Sequence, residues 1–206
     1  EVAGEYPGDS WVQAALAEAE FDAGNDAAAI AVADRALAID AANKKALVQK
    51  GFALFRSAGE ADDREAAYQE AMAPFTALNK LENDHPLPLI YYYRSYSERG
   101  LEPPERARHA LERAAELAPF DQTLWMNAAV MEAGEGRIEV AIHNLRPLAA
   151  HPHGGELADN AARLVALLET VPEGKPVDIA ALIETARQEE ASDLASLDGE
   201  EPVAEE

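Results

Sequence analysis

A short pattern of glycine and alanine recurs along the chain, and it constrains the fold more than any other feature. Each copy has a glycine, an alanine five to seven residues later, and then small and apolar residues that end near Asp or Pro. The copies begin at Gly24, Gly100 and Gly136. A helix that stops at a glycine, followed by a helix with alanines at helical spacing, predicts a closely packed helix pair. The recurrence predicts an array of such pairs.

Composition excludes several classes of function. Asp and Glu number 39 against 17 Lys and Arg, so the formal charge of -22 would repel a phosphate backbone, and nucleic acid is not an expected partner. The chain has no cysteine, which excludes a disulfide framework and any thiolate zinc site. No apolar run approaches the roughly 20 residues that a membrane-spanning helix needs, so membrane insertion is not expected.

The pattern divides the chain into four parts. Residues 1–9 carry Gly and Pro without helical periodicity and form a lead-in. Residues 10–170 are predicted to hold the array of helix pairs, closed by a capping helix over 156–170, because a terminal repeat has one face without a neighbour. Residues 171–190 are predicted to form an additional helix. Residues 191–206 are predicted to be a solvated and mobile acidic tail, because acidic residues there are not balanced by basic ones.

Three local expectations concern single residues. Ser10 is expected to cap the first helix through its hydroxyl group. Gly51 is expected where the two helices of the second pair approach most closely. The second pair takes 43 residues, from Lys44 to Pro86, in place of 34. Pro74 lies within its long second helical segment, so we expect that segment to be kinked or split there.

The chain resembles the tetratricopeptide repeat (TPR) family, whose unit of 34 residues pairs helices A and B. Trp125 and Tyr96 match the Trp and Tyr positions of helix A, and the first Ala position of helix B is matched by Ala29, Ala107 and Ala141. Departures are Glu20 in place of Tyr and Ala41 in place of Pro in the first repeat. The resemblance covers residues 10–152 and implies an all-α fold, a right-handed α-solenoid of about four TPR-like helix pairs with a C-terminal capping helix.

A second resemblance is narrower. The segments at residues 87–96, 116–121 and 145–154 are similar to the C-terminal repeat region of bacterial envelope proteins that have an N-terminal peptidase-like domain. This resemblance implies that the chain is the non-catalytic, binding part of an exported protein, in the periplasm or cell envelope. Because the chain begins at Glu1, it is expected to be a trimmed or mature form.

The TPR resemblance also implies a binding groove, because the A helices of such repeats line a concave face. Arg56 and Arg94 are cations flanked by aromatic residues, which suits a peptide carboxylate or acidic side chain on an apolar floor. The alternative is that the aromatic residues are packing between repeats and that both arginines pair with nearby acids. The predicted groove residues are Gln49, Phe52, Phe55, Arg56, Tyr91, Arg94, Met126 and Asn127.

Motifs for catalysis are missing from the sequence. It contains no His-Glu-x-x-His, no Gly-x-x-x-x-Gly-Lys and no Gly-x-Ser-x-Gly, so we expect neither enzyme activity nor a cofactor. His151 and His153, even with Glu156, fall short of the ligands that a zinc site needs, and no metal is expected. The chaperone-binding clamp known in TPR proteins is also not expected, because Ala14 and Glu18 occupy its Lys and Asn positions.

These observations predict a protein–protein interaction module that binds a peptide or helix from a protein partner in the concave groove. The alternative is a non-catalytic accessory domain of a larger bacterial envelope protein. Self-association through the exposed face of a terminal helix is a third hypothesis.

Overall fold

The protein is all-α. The computed structural model describes residues 6–197, with side chains for residues 6–188. That range contains ten helices and no strand, which confirms the predicted fold class. The helices are α1 (Ser10–Asp22), α2 (Asp26–Ile39), α3 (Lys44–Ala58), α4 (Arg64–Leu81), α5 (Pro86–Ser97), α6 (Glu105–Leu117), α7 (Gln122–Gly134), α8 (Ile138–Ala149), α9 (Gly155–Leu168) and α10 (Ile179–Leu197).

The helices form two compact units, Glu1–Ala118 and Pro119–Glu206. In the first unit, α1 packs on α2, α3 on α4, and α5 on α6, and the first two pairs are joined by contacts of α3 with α1 and α2. In the second unit, α8 packs against both α7 and α9, and α10 contacts α7 and α9. The acidic tail predicted from residue 191 begins inside α10, and residues 198–206 lie outside the described part of the chain.

Alanines form the contact between α1 and α2. Ala14 packs with Ala36, and Ala17 packs with Ala33, and all four are fully buried. Small side chains allow the ridges of one helix to enter the grooves of the other, so the two backbones lie close together. The recurring alanines of the sequence are therefore contact residues.

The recurring glycines lie at the turns within helix pairs. Gly24, Gly100 and Gly136 have φ angles of 83°, 70° and 81°. A backbone with positive φ strains any residue that has a Cβ atom, so a glycine at this place lets the first helix of a pair end and the chain reverse. The second pair has no such turn, because Gly59 has a φ of -62° and a longer loop leads to Asp63, which caps α4.

Two of the local expectations concern the second pair, and the structure shows the outcome of each. α4 continues from Arg64 to Leu81 with Pro74 in its interior, so a split of this helix at Pro74 is wrong. Gly51 does mark a close approach, because the ring of Phe75 on α4 lies over it, and a Cβ atom at position 51 would be 2.6 Å from the ring.

The cap of α1 is Asp9 and not Ser10. The Asp9 carboxylate accepts hydrogen bonds from the amides of Trp11 and Val12, at 2.9 and 3.2 Å. Ser10 lies within the helix and is buried, and its hydroxyl group donates to the carbonyl of Ala36, at 3.1 Å. The prediction failed because adjacent Asp and Ser residues are both good caps, and only the position of the first helical turn separates them.

A segment of the second unit, residues 173–177, crosses the turn between α7 and α8, and we call it the strap. The amide of Gly174 donates to the carbonyl of Gly136 at 2.8 Å, and the amide of Val177 donates to the carbonyl of Ala133 at 3.0 Å. The Glu173 carboxylate accepts from the amide of Glu139, in the first turn of α8, at 2.8 Å. The strap thus satisfies backbone groups that a helix turn leaves open.

Candidate functional site

A cavity of about 270 Å³ in the first unit is lined by five of the eight predicted groove residues. Phe52, Phe55 and Arg56 come from α3, and Tyr91 and Arg94 come from α5. Residues three or four positions apart share a helix face, so the spacing in each helix places these side chains on one side. The rest of the lining is Phe21, Gly59, Tyr68 and Glu98.

Tyr91 is the centre of the aromatic wall. Its ring stacks on Phe75 with a centroid distance of 4.3 Å, meets Phe55 edge to face at 4.7 Å, and lies 5.3 Å from Phe52. Edge-to-face and offset arrangements are the favourable ones for aromatic pairs. These rings join α3, α4 and α5, so the aromatic residues do serve as packing between helix pairs, as the alternative interpretation expected.

Burial changes the acidity of Tyr91. Removal from water raises the pKa of Tyr91 above its ordinary value of 10.0, and the positive charge of Arg94 opposes this effect. The phenol is therefore neutral at physiological pH and acts as a hydrogen-bonding group on an apolar wall.

Arg56 is held from several sides. Its guanidinium group donates to both carboxylate oxygens of Asp26 and, at 2.8 Å, to the carbonyl of Phe21. It also lies over the Phe21 ring, 3.9 Å from the centroid. The hydrogen bond to Asp26 raises the pKa of Arg56 further above its ordinary value. These contacts fix Arg56 as a link between α1, α2 and α3.

Arg94 is held less firmly. It lies 4.9 Å from the Tyr91 centroid and 5.1 Å from the Phe55 centroid. Its ion-pair partner is Glu98, four residues later and directly after the last residue of α5, at 2.7 Å, and the two side chains are 42% and 40% exposed. Both arginines thus have acidic partners: Arg56 is bound to residues of two other helices, whereas Arg94 pairs with Glu98, four residues along the chain.

Three predicted groove residues lie elsewhere. Gln49 is buried in α3, and its Oε1 atom has no hydrogen-bond partner among the described residues. Met126 and Asn127 belong to α7 in the second unit, where Met126 packs against the core and Asn127 is exposed. The repeat pattern predicts an inward face on every A helix, and so it grouped these two residues with those of α3 and α5. It contains no information on the division of the chain into two units.

Of the other residues that line the cavity, Glu98 and Phe21 could have been predicted from the sequence, whereas Tyr68 could not. Glu98 follows Arg94 by four residues, which is the spacing of an ion pair on a helix. Phe21 occupies an inward position of α1. Tyr68 comes from α4, a second helix of its pair, and the overlong second unit gives no register from which to place it.

The two histidines of the loop after α8 lie on the surface. The amide of His153 donates to Nδ1 of His151 at 3.3 Å, and both side chains are exposed. Among residues 6–188, no group of three or more His, Asp or Glu side chains is placed to hold a metal ion. None of the helices within residues 6–197 is both long and apolar enough to cross a bilayer.

Comparison with known proteins gives a likeness of fold. No protein-family model and no curated protein matches the sequence. Among solved structures, the chain is similar to a thermophilic TPR protein of Thermus thermophilus, with 17% sequence identity, a TM-score of 0.64, and coverage of 80% of this chain and 86% of that one. The resemblance to envelope proteins stays a prediction. Helix pairing, the glycine turns and this likeness agree, and the chain has a tetratricopeptide-repeat fold.

Proposed function

We propose that this protein is a protein-interaction module and that the cavity between α3 and α5 binds a peptide segment of a partner protein. The observation that carries the proposal is the position of Arg94. This half-exposed cation lies above an aromatic wall, and its acidic partner, Glu98, is a solvent-exposed side chain. Grooves between repeat helices are common binding surfaces for peptides and helices.

The Arg94–Glu98 pair is weak enough to be exchanged. Exposed ion pairs one helical turn apart contribute about 0.3–0.5 kcal/mol, because water screens both charges and both side chains lose rotamer freedom. A ligand carboxylate that is shielded by the aromatic wall can therefore replace Glu98 at little cost. Arg56, in contrast, already donates through Nε and Nη2 to Asp26 and to the carbonyl of Phe21, so it shapes the site instead of binding the ligand.

The lining also defines the ligand. Phe52, Phe55 and Tyr91 offer ring faces and edges to an apolar or aromatic side chain, and Arg94 offers a charged fork to a carboxylate nearby. The expected ligand is an extended or helical segment with an apolar residue next to an acidic residue or a free C-terminus.

A selection experiment tests the proposal. A random peptide library displayed on phage is selected against the whole chain, and the enriched peptide is synthesised with a fluorescent label for anisotropy titration. We expect enrichment of apolar residues adjacent to acids. We expect Arg94→Gln to weaken binding about tenfold, which is the range of a charge-assisted hydrogen bond, and Glu98→Gln to strengthen it because the internal competitor is removed.

Arg113→Gln is the matched control, because Arg113 is an exposed arginine that pairs with Glu116 on α6 and does not line the cavity. The proposal fails if no peptide is enriched, or if Arg94→Gln and Arg113→Gln have the same effect. An accessory role in a larger envelope protein and self-association remain predictions that no observation favours over this one.

A further inference from the structure

The helix α10 packs on the second unit only lightly. Val177 of the strap and Ile179 and Leu182 of α10 pack against the buried core cluster of that unit. From Ile183 to Gln188 every side chain is exposed except that of Ala186, which is half-buried. Between residues 179 and 188 no side chain is buried, whereas each of the helices α1 to α9 has at least two buried side chains. Among the described helices, α10 is therefore the one with the shallowest packing.

The surface under α10 is apolar. α10 contacts α7 and α9, and we call the surface that it covers the α7–α9 face. The residues that these two helices contribute to the core cluster are Ala129, Ala133, Ala161, Leu164 and Leu168. On α10, Ile179 and Leu182 are three residues apart and the half-buried Ala186 follows four residues later, so they form one apolar stripe. The α7–α9 face thus holds an amphipathic helix in this structure.

The strap is attached through groups that do not depend on its side chains. The amides of Gly174 and Val177 donate to backbone carbonyls of α7 and of the turn that follows it. Glu173 adds one side-chain bond, which it accepts from a backbone amide of α8. Every residue has a backbone carbonyl, and every residue except proline has an amide hydrogen. The same bonds are therefore open to an extended segment of another protein.

The change from strap to helix occurs at Asp178. Its carboxylate accepts a hydrogen bond from the amide of Ala181 at 3.1 Å, which caps the start of α10. The segment on the α7–α9 face thus has a defined pattern, with an apolar residue at 177, a capping Asp at 178 and the apolar stripe of 179, 182 and 186. A segment with this pattern in another chain would present the same groups.

We propose that the α7–α9 face is a helix-docking site that α10 covers reversibly, and that a partner protein binds there by displacing α10. The partner segment has an apolar residue, a capping Asp, and an amphipathic helix whose first and fourth residues are apolar and whose eighth is small. Displacement exchanges one half-buried stripe and one set of backbone bonds for another. Because α10 occupies the face, it lowers the apparent affinity of the partner by the fraction of molecules in which the face is open. This site lies in the second unit and does not depend on the cavity between α3 and α5.

The test uses the chain's own segment as the probe. A synthetic peptide of residues 173–188 with a fluorescent label is titrated with the whole chain, and binding is followed by anisotropy. In Leu182→Asp a charge replaces a half-buried apolar side chain of α10, so α10 leaves the face while α7 to α9 keep their sequence. We expect this variant to bind the peptide at least about tenfold more tightly than the unchanged chain, because a minor open state is populated at about 10% or less.

Ile183→Asp is the matched control, because it places the same charge on the next residue, which is 38% exposed and lies outside the core cluster. Its affinity for the peptide should equal that of the unchanged chain. A peptide that itself carries Leu182→Asp should not bind to any of the proteins. Leu182→Ala should give a smaller increase of the same sign, and it decides the test if Leu182→Asp loses helical circular dichroism.

A further variant locates the peptide. In the Leu182→Asp chain, Gly136→Ala should weaken peptide binding at least about fivefold, the lower end of overpacking costs, because the added Cβ atom meets residue 174 of a segment bound as the strap is. Gly24→Ala is its control, because Gly24 also has a positive φ but an added Cβ atom meets nothing within 4 Å. The proposal is overturned if the peptide does not bind to Leu182→Asp, or binds equally to the unchanged chain. It is also overturned if Ile183→Asp matches Leu182→Asp, or if Gly136→Ala leaves the affinity unchanged.

Discussion

At the scale of single residues, side-chain size decides which helices touch closely and which are held apart. The alanines of α1 and α2 are fully buried at their contact. Phe75 fits into α4–α3 packing only because position 51 has no side chain. Tyr91 stacks on the same Phe75 ring. The aromatic wall of the candidate site therefore depends on Gly51, which does not itself line the cavity.

Gly51→Ala should destabilise the first unit. A Cβ atom there would lie 2.6 to 2.9 Å from three ring atoms of Phe75, so the ring must move, and overpacking of this kind costs about 1–3 kcal/mol. Urea unfolding followed by circular dichroism measures the change. Gly59→Ala is the control, because its Cβ atom would meet nothing closer than 3.4 Å. Glycine within a helix otherwise disfavours folding, so equal or increased stability of Gly51→Ala would contradict the close contact.

Tyr91 should make the first unit sensitive to alkaline pH. Its pKa is raised by burial, so the folded state binds the proton more tightly than the unfolded state. Stability is therefore complete below pH 10.0, the ordinary pKa, and falls as the pH rises above it. Tyr91→Phe should reduce this alkaline loss in unfolding experiments between neutral pH and pH 11 or so. Tyr6→Phe, at a side chain that is 56% exposed, should leave the pH profile unchanged.

The sequence predicted that residues of α3 and α5 share a groove, and in the structure five of them line one cavity, but it did not identify the partner of Arg56. Helical spacing alone places Phe52 with Arg56, and Tyr91 with Arg94, on common faces. Asp26 lies 30 residues before Arg56 and reaches it only through the packing of helix pairs. A contact between distant segments leaves no periodic signal in the sequence. The hypothesis that Arg56 pairs with an acid could therefore be stated, but Asp26 could not be identified as that acid.

At the scale of elements, the strap ties a loop to a turn in the second unit. Gly136 and Gly174 both have positive φ angles, of 81° and 82°, and their backbones lie in contact. An added Cβ atom at Gly136 would lie 2.8 Å from the carbonyl carbon of Gly174, whereas one at Gly174 would meet nothing within 4 Å.

Gly136→Ala should release the strap. Both Gly136→Ala and Gly174→Ala carry the strain of a positive φ, about 1 kcal/mol, but only the first adds a clash that pushes residues 174 and 175 away. We expect Gly136→Ala to cost about 1–3 kcal/mol more than Gly174→Ala in urea unfolding. Faster amide hydrogen exchange at Gly174 and Val177 should accompany it. Identical protection in the two variants would mean that the contact does not hold the strap.

Most helices were predictable from the sequence, because the small residues, the glycines and the spacing of apolar residues indicate the same helices along most of the chain. Pro74 is the instructive departure. A proline inside a helix removes one backbone hydrogen bond and predicts a break. Here its ring is buried, as are Phe75 and Leu78 on the same helix, and tertiary packing keeps α4 continuous. Helix propensity depends on the local sequence alone, so it contains no information on the tertiary neighbours that override it.

At the scale of the whole molecule, charge is the dominant property. With 39 acidic and 17 basic side chains, most carboxylates have no cation available to them. Mutual repulsion among them opposes the compact state.

Added salt should therefore stabilise the chain. Raising NaCl from about 0.01 to 1 M shortens the Debye length from about 30 to 3 Å, which screens long-range repulsion more than it weakens contacts such as Lys45 with Glu18 at 2.6 Å. We expect the thermal midpoint, followed by circular dichroism at neutral pH, to rise by several degrees. A fall would indicate that ion pairs contribute more to stability than repulsion takes away.

The two tryptophans happen to be distributed one to each unit. Trp11, at the start of α1, is 66% exposed, whereas Trp125 packs against the core formed by α7, α8 and α9. An indole in water emits at longer wavelength than one in an apolar setting, so the intrinsic emission spectrum contains a separate optical reporter for each half of the chain. Replacing either tryptophan by phenylalanine would leave a protein whose fluorescence follows a single unit, without any attached dye.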